Sequence, residues 1–313
     1  MKRISDLAKD PAIWCGLNRP EMNEETADTV VFAIPFDEGV SYRSGAREAP
    51  DMLRNNTRTS TPTTETFDFY QDFNIFDAGD FTGETRDAMF QDVRAYVKDL
   101  VKKGIRFTMI GGDHSVTIPV LQGIDDGVDE DFGIIHVDAH FDLDDNLDGD
   151  KLFHGATERR ATELSHISST ENLYFIGIRS IERDEFEFAK ANRIQVKSAA
   201  DCFAEGMEAV AADCVEKMKK FSKVYLTFDI DALDPGYAGG TGTPQFGGIT
   251  PRMALVLMEK LFTRLPIIGF DIVEIAPSLD DSLASMYAGR KLLTQAWGYW
   301  AEQLGKLEKF GGE

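Results

Sequence analysis

Phe132-Gly133-Ile134-Ile135-His136-Val137-Asp138-Ala139-His140-Phe141-Asp142 is the stretch on which the reading of this chain turns. Its first half, Phe132–Val137, is a short apolar run without alternation, as a strand buried on both faces requires. Its second half sets Asp138, His140 and Asp142 directly after that strand. In open parallel sheets, ligands bind just outside the carboxyl ends of the strands. The same arrangement recurs twice. Gly111-Gly112-Asp113-His114-Ser115 follows the expected strand Ile105–Ile110, and Asp229-Ile230-Asp231-Ala232-Leu233-Asp234-Pro235 follows Lys223–Phe228.

In extended chain, side chains two residues apart point the same way. This spacing lets Asp138, His140 and Asp142 converge on one point and lets Asp229 and Asp231 do the same. His114 completes the set. The carboxylates in such a cluster repel one another unless cations are present. Two divalent cations would balance the four negative charges of Asp138, Asp142, Asp229 and Asp231. Carboxylate and imidazole donors without thiolate suit Mn²⁺, with Ni²⁺, Fe²⁺ or Zn²⁺ as alternatives. His136, inside the strand, reads as a buried structural histidine. His166 has no motif around it and reads as a surface residue.

Working outward, further short apolar runs predict strands at Thr29–Pro35, Phe73–Ala78, Asn172–Ile178, Arg193–Val196 and Pro266–Ile272. Helical patterns fill the gaps: Arg47–Asn55, Glu84–Lys103, Thr117–Gly123, Glu158–Leu164, Glu182–Asn192, Phe203–Phe221, Pro251–Arg264 and Asp281–Leu304. This alternation is the signature of a mainly parallel sheet covered by helices, an α/β fold. Thr250-Pro251 has the form of an N-cap followed by proline in the first helical turn. Gly104 has the form of a helix stop. Asn55–Thr66 and Gly239–Gly248 read as loops; the second is not a phosphate loop, because no Gly-Lys-Ser/Thr follows it. Nothing marks a domain boundary, so one domain over residues 1–313 is expected.

The formal charge of -21 argues against nucleic acid as a partner and suits a cationic ligand. There is no apolar run long enough for a membrane span. The polar stretch Met1–Arg19 lacks the apolar core of a signal peptide. Cys15, Cys202 and Cys214 have no paired spacing and read as free thiols in a reducing compartment. A cytoplasmic location is the expectation.

Taken in order, these motifs resemble the ureohydrolase family of arginases, agmatinases and related amidinohydrolases. The matching stretches are SGAREAP (44–50), GGDHS (111–115), DAHFD (138–142), HGATERRA (154–161), FDIDALDP (228–235), GTGTP with its following Gly-Gly (240–248) and DIVEIAP (271–277). The resemblance implies an arginase-like three-layer α/β/α fold with a central sheet of about eight strands, and a homotrimer or homohexamer. It assigns His114, Asp138, His140, Asp142, Asp229 and Asp231 as ligands of two metal ions. It makes His154 the proton-shuttling histidine and Glu274 the carboxylate that holds a guanidinium group, with Asp142 also among the catalytic residues.

The implied reaction is hydrolysis of a guanidino C–N bond, giving urea and an amine, with agmatine as the favoured substrate. Guanidinobutyrate, guanidine and formiminoglutamate are the alternatives. A metal-binding protein without catalysis is a further one, against which His154 and Glu274 both speak. The chain departs from the family pattern in three places. Phe141 stands where a small polar residue is usual. Leu143-Asp144 stands where formiminoglutamate hydrolases often carry arginine. Ala156-Thr157-Glu158 replaces Thr-Pro-Phe. The acidic run Asp144–Asp150, expected to overhang the site, favours a cationic tail on the substrate. Arg159 and Arg160 oppose that field, but a helix here should turn at least one of them to solvent.

Overall fold

Eight strands form one parallel sheet in the computed structural model, which describes residues 6–311. The first five residues of the polar N-terminal stretch and the last two of the chain lie outside the described residues. The strands are β1 Thr29–Ala33, β2 Ile75–Asp80, β3 Phe107–Ile110, β4 Gly133–Val137, β5 Leu173–Ile178, β6 Gln195–Ser198, β7 Val224–Asp229 and β8 Ile267–Val273. No boundary is more than two residues from the expected one. Their order across the sheet is β2-β1-β3-β8-β7-β4-β5-β6.

Both faces are covered, which is why most of the strands are largely apolar rather than alternating, the edge strand β6 (QVKS) excepted. In β1, Val31 and Ala33 pack in a cluster with Leu53, Leu257, Leu261 and Trp297, whereas Val30 and Phe32 pack with Val93, Val97, Leu121 and Ile124 on the other side. Helices Ala49–Thr57, Met207–Met218, Pro251–Arg264 and Ala284–Gln303 therefore cover one face. Arg86–Lys102 and Thr117–Gly127 cover the other. The result is the expected three-layer α/β/α architecture.

Helix Pro251–Arg264 shows how sequence makes such a layer. Thr250 Oγ1 accepts from Met253 N at 3.3 Å, and proline opens the first turn. Ala254, Leu257, Met258, Leu261 and Phe262 recur at helical spacing and are buried. Each of the four larger side chains contributes about 1.5–3 kcal/mol by leaving water.

Two expected helices differ. Phe203–Phe221 is instead Ala199–Glu205 and Met207–Met218, broken at Gly206, whose φ of 84° only glycine adopts cheaply. The helix expected at Glu158–Leu164 is a short one, Thr157–Ala161, entered through a 3-10 turn at His154–Ala156. None of the described helices is long and apolar enough to cross a membrane.

The topology positions the site. The chain passes from β3 to β4 across the places later filled by β8 and β7. The carboxyl ends of four adjacent strands, β3, β8, β7 and β4, thus open on one crevice, where such sheets bind ligands.

Candidate functional site

The six residues expected as ligands meet in that crevice. His114 Nδ1 lies 3.1 Å from Asp138 Oδ2, 3.1 Å from Asp142 Oδ2 and 3.3 Å from Asp229 Oδ2. His140 Nδ1 lies 3.4 Å from Asp138 Oδ1 and 3.1 Å from Asp231 Oδ2. Asp138 therefore turns one oxygen toward each histidine, and the six residues form two groups that share it.

The convergence does not come from strand pleating, contrary to expectation. Residues 138–140 bend, and Ile230–Ala232 is a 3-10 turn. In each motif an aspartate accepts from the backbone N–H two residues on: Asp113 Oδ1 from Ser115 at 3.0 Å, Asp138 Oδ1 from His140 at 2.6 Å, Asp229 Oδ1 from Asp231 at 2.7 Å. This local turn is what aspartate favours after a strand, and it curls the chain back toward the crevice. Asp142 and Glu274 hold φ values of 52° and 62°, strained for residues with a Cβ. Their backbones are tied in place, Asp142 O accepting from Arg159 N at 2.9 Å and Glu274 N donating to Gly112 O at 2.8 Å. Gly112 has no substitute, because a Cβ there would sit 1.7 Å from Phe36 O.

His154 and Glu274 form a pair behind this cluster. His154 Nδ1 is 2.9 Å from Glu274 Oε1, which also accepts from His114 N at 2.9 Å. On the other edge of the ring, Nε2 is 3.0 Å from Ser41 N and 2.8 Å from Ser41 Oγ. A backbone N–H can only donate, so Ser41 favours the tautomer with its proton on Nδ1. Burial lowers the His154 pKa, and Glu274, with Asp142 and Asp113, raises it to about 9. The Ser41 N–H needs an unprotonated Nε2 and so opposes the second proton. Glu274 Oε2 has no hydrogen-bond partner among the described residues.

The cluster is electrostatically incomplete without cations. Burial pushes the Asp229 carboxyl well above the usual range, and Asp231 and Asp138 add to the rise. Burial and Asp138 raise Asp231 as well, against the pull of His140. His114 Nδ1, Asp138 Oδ2 and Asp142 Oδ2 are all buried, face one another, and lack an aligned hydrogen-bond partner among the described residues. Buried polar atoms are normally satisfied. Donor atoms left bare and aimed at a common point are what a divalent cation requires, and oxygen with imidazole nitrogen is the donor set Mn²⁺ takes. Asp138, His140 and Asp231 bring ligand atoms within 4.8 Å of one another, as do His114, His136 and Asp138.

Several residues that matter here were given another role from the sequence or none. His136 is buried as expected, yet it is not remote from the site: its Nε2 is 3.1 Å from Asp138 Oδ2. Its Nδ1 meets Glu158 Oε1 at 3.2 Å. His114 Nε2 is 2.8 Å from Thr227 Oγ1, which donates to buried Asp271 at 2.7 Å. A hydrophilic residue inside a central buried strand was the available signal for Thr227 and Asp271. The strand-end rule applied to β8 would have pointed to Glu274 without any family resemblance. His166 is not a free surface residue; it is half-buried with Nδ1 3.0 Å from Asp125 Oδ1.

A cavity of about 350 Å³ leads to the cluster. His140, Asp142, Asp229 and His154 line its floor, with Thr243 and Gln245 from the loop Gly239–Gly248. Asp144, Glu182 and Glu185 also line it. Burial raises Asp144 to about 6, helped by Glu182, Asp142 and Asp184. Burial likewise raises Glu185 to about 7, against the backbone N–H groups of Glu182 and Leu143. No lysine or arginine lines the cavity among the described residues. The rest of the acidic run is largely spoken for: Asp145 pairs with Arg160 at 2.9 Å, and Asp150 with Arg86 at 2.7 and 2.9 Å. Neither arginine of the pair is fully exposed, contrary to expectation: Arg160 is buried, and Arg159 lies 3.8 Å over the Phe188 ring.

Comparison with known proteins agrees with this geometry. Residues 27–298 match the Arginase family. The guanidinobutyrase of Pseudomonas aeruginosa is 32% identical over 276 residues, covering 86% of this chain and 85% of that protein. The agmatinase of Bacillus subtilis is 33% identical over 290 residues, covering 89% and 93%. In structure, the proclavaminate amidino hydrolase from Streptomyces clavuligerus superposes with a TM-score of 0.83 at 27% identity, covering 95% of this chain and 99% of that one. The chain belongs to the Arginase family. It is an enzyme of that family's ureohydrolase type, a hydrolase acting on amidino C–N bonds.

Proposed function

We propose that this enzyme hydrolyses the guanidino C–N bond of a substrate with a cationic tail, agmatine foremost, releasing urea and an amine. The observation that carries the reading is the cavity wall, where Asp144, Glu182 and Glu185 stand with no basic residue among the described lining. A distal ammonium gains from that field and a distal carboxylate is repelled. In the same reading, His114, Asp138, Asp142 and Asp229 form one end of a two-cation site and His140 and Asp231 the other, with Asp138 serving both. Mn²⁺ is the first choice, and Ni²⁺, Fe²⁺ or Zn²⁺ share the donor preference. When bound, such a pair supplies positive charge and makes a water acidic enough to act as nucleophile near neutral pH.

The side chains do the rest. Glu274 offers Oε2 to the guanidinium in a charge-assisted hydrogen bond. Its Oε1 is already engaged by His114 N and His154, so the two-oxygen fork the residue type suggests is reduced to one free oxygen. His154 holds a proton at Nδ1 and gives it to the departing amine. Ser41 fixes the ring that does this. Asp144 and Glu182 hold the tail and so orient the reacting carbon.

The name of the Pseudomonas relative favours a second reading, guanidinobutyrate. A panel separates them. Mn²⁺-loaded enzyme is given agmatine, guanidinobutyrate, guanidine and formiminoglutamate at low salt, and urea and ammonia are measured. Agmatine should give urea fastest, and added salt should narrow its lead by screening. Asp144→Asn with Glu182→Gln should raise the agmatine KM about twofold to fivefold and move kcat less, the scale of a partly solvated charge pair. Asp145→Asn, a residue held by Arg160, should do little. Faster release of urea from guanidinobutyrate than from agmatine would refute the cationic-tail reading. Ammonia without urea would point to the formimino reaction instead.

A further inference from the structure

Glu158 occupies the place where the family pattern leads one to expect phenylalanine. It is fully buried. Burying a carboxylate is costly unless it is paired and hydrogen-bonded. Glu158 has one such contact among the described residues, Oε1 to His136 Nδ1 at 3.2 Å, and its Oε2 has none. A buried carboxyl with a single side-chain partner acts through that partner.

That partner sits against the cluster. His136 Nε2 is 3.1 Å from Asp138 Oδ2, the oxygen that faces His114, and 3.1 Å from His140 O. The His136 ring stacks on the His114 ring at 5.1 Å and an interplanar angle of 6°. Stacking holds the plane of the ring but not its flip about the Cβ–Cγ bond. A flipped ring would turn carbon toward Asp138. A carboxylate at Nδ1 selects one of the two orientations, the one in which Nε2 bonds to His140 O and lies against Asp138 Oδ2. The segment carrying Glu158 is itself anchored, since Thr157 Oγ1 donates to His114 O at 3.0 Å and to His154 O at 2.9 Å.

We propose that Glu158 is a positioning residue: through His136 it orients Asp138 and tightens the hold of the His114 group on its cation. The inference rests on the reading above that this cluster binds two divalent cations. Partners that orient a ligand from behind typically govern metal affinity by about ten- to a hundredfold.

The test is calorimetric titration of metal-free enzyme with Mn²⁺, alongside the thermal transition of each metal-free variant. In Glu158→Leu, one dissociation constant should rise by about ten- to a hundredfold and the other by less than about threefold. Glu158→Gln keeps an acceptor for the ring and should raise the same constant by less than Glu158→Leu does. In a His136→Phe background, Glu158→Leu should add nothing, because the route to Asp138 is already cut. Both constants unchanged in Glu158→Leu, or an undiminished effect on top of His136→Phe, overturn the proposal. If Glu158→Leu does not fold, Glu158→Gln decides by itself, and unchanged constants there overturn it. A wild-type enzyme that takes up no Mn²⁺ overturns the two-cation reading instead.

Discussion

Glu274→Gln should lower kcat/KM by on the order of a hundredfold or more while metal content stays at the wild-type value. The exchange keeps the shape of the side chain. Its Oε1 can still accept from His114 N and from His154 Nδ1, the two contacts that now occupy it. What changes is the other end, where an amide NH₂ replaces the partnerless Oε2. A guanidinium presents only donors, so donor would face donor, and the charge that attracts the substrate is gone. The left-handed backbone at Glu274 is unaffected, because glutamine tolerates it no worse than glutamate does. Steady-state kinetics with elemental analysis of the purified variant check this. A variant that loses metal along with activity would make Glu274 a ligand or a structural residue, and the role given to it here would fall.

Removing the metal should abolish activity and lower the melting temperature. Four aspartates and two histidines face one another at about 3 Å, and several donor atoms have no other partner. Without cations the carboxylates must take up protons or move apart, which is the physical meaning of the raised Asp229 and Asp231 carboxyls. Ligand binding to the folded state alone adds about 2.7 kcal/mol at a hundredfold excess over the dissociation constant, and two sites would each contribute on that scale. Differential scanning calorimetry before and after chelation, with urea release measured in parallel, gives both numbers. Urea release that survives exhaustive chelation would sink the two-cation reading.

Much of this fold is visible in the chain because parallel strands buried on both faces leave short unbroken apolar runs, and helices leave a period. The eight strands fall within two residues of those runs for that reason. Gly206 was missed because a single glycine between two amphipathic helices on the same side of a sheet does not break the period. The six clustered His and Asp residues were legible from their place after strands, but the geometry was not: three aspartate turns, rather than pleating, bring them together. Ser41 and Thr227 lie far in sequence from the residues they contact, each 113 positions away, Ser41 from His154 and Thr227 from His114. Contacts between distant segments leave no local pattern. The acidic run was half misread, since Arg160 and Arg86 take up Asp145 and Asp150 and only Asp144 of the run's aspartates lines the cavity.

The central claim is that the strand-end cluster holds two cations and that urea release from a guanidino substrate depends on both. Metal-free enzyme titrated with Mn²⁺, with bound ions counted and urea from agmatine assayed at each step, tests it most directly. Activity should stay near zero until the first site fills and reach its plateau at about two bound ions per chain. Full activity with one ion bound, or with none, would contradict it.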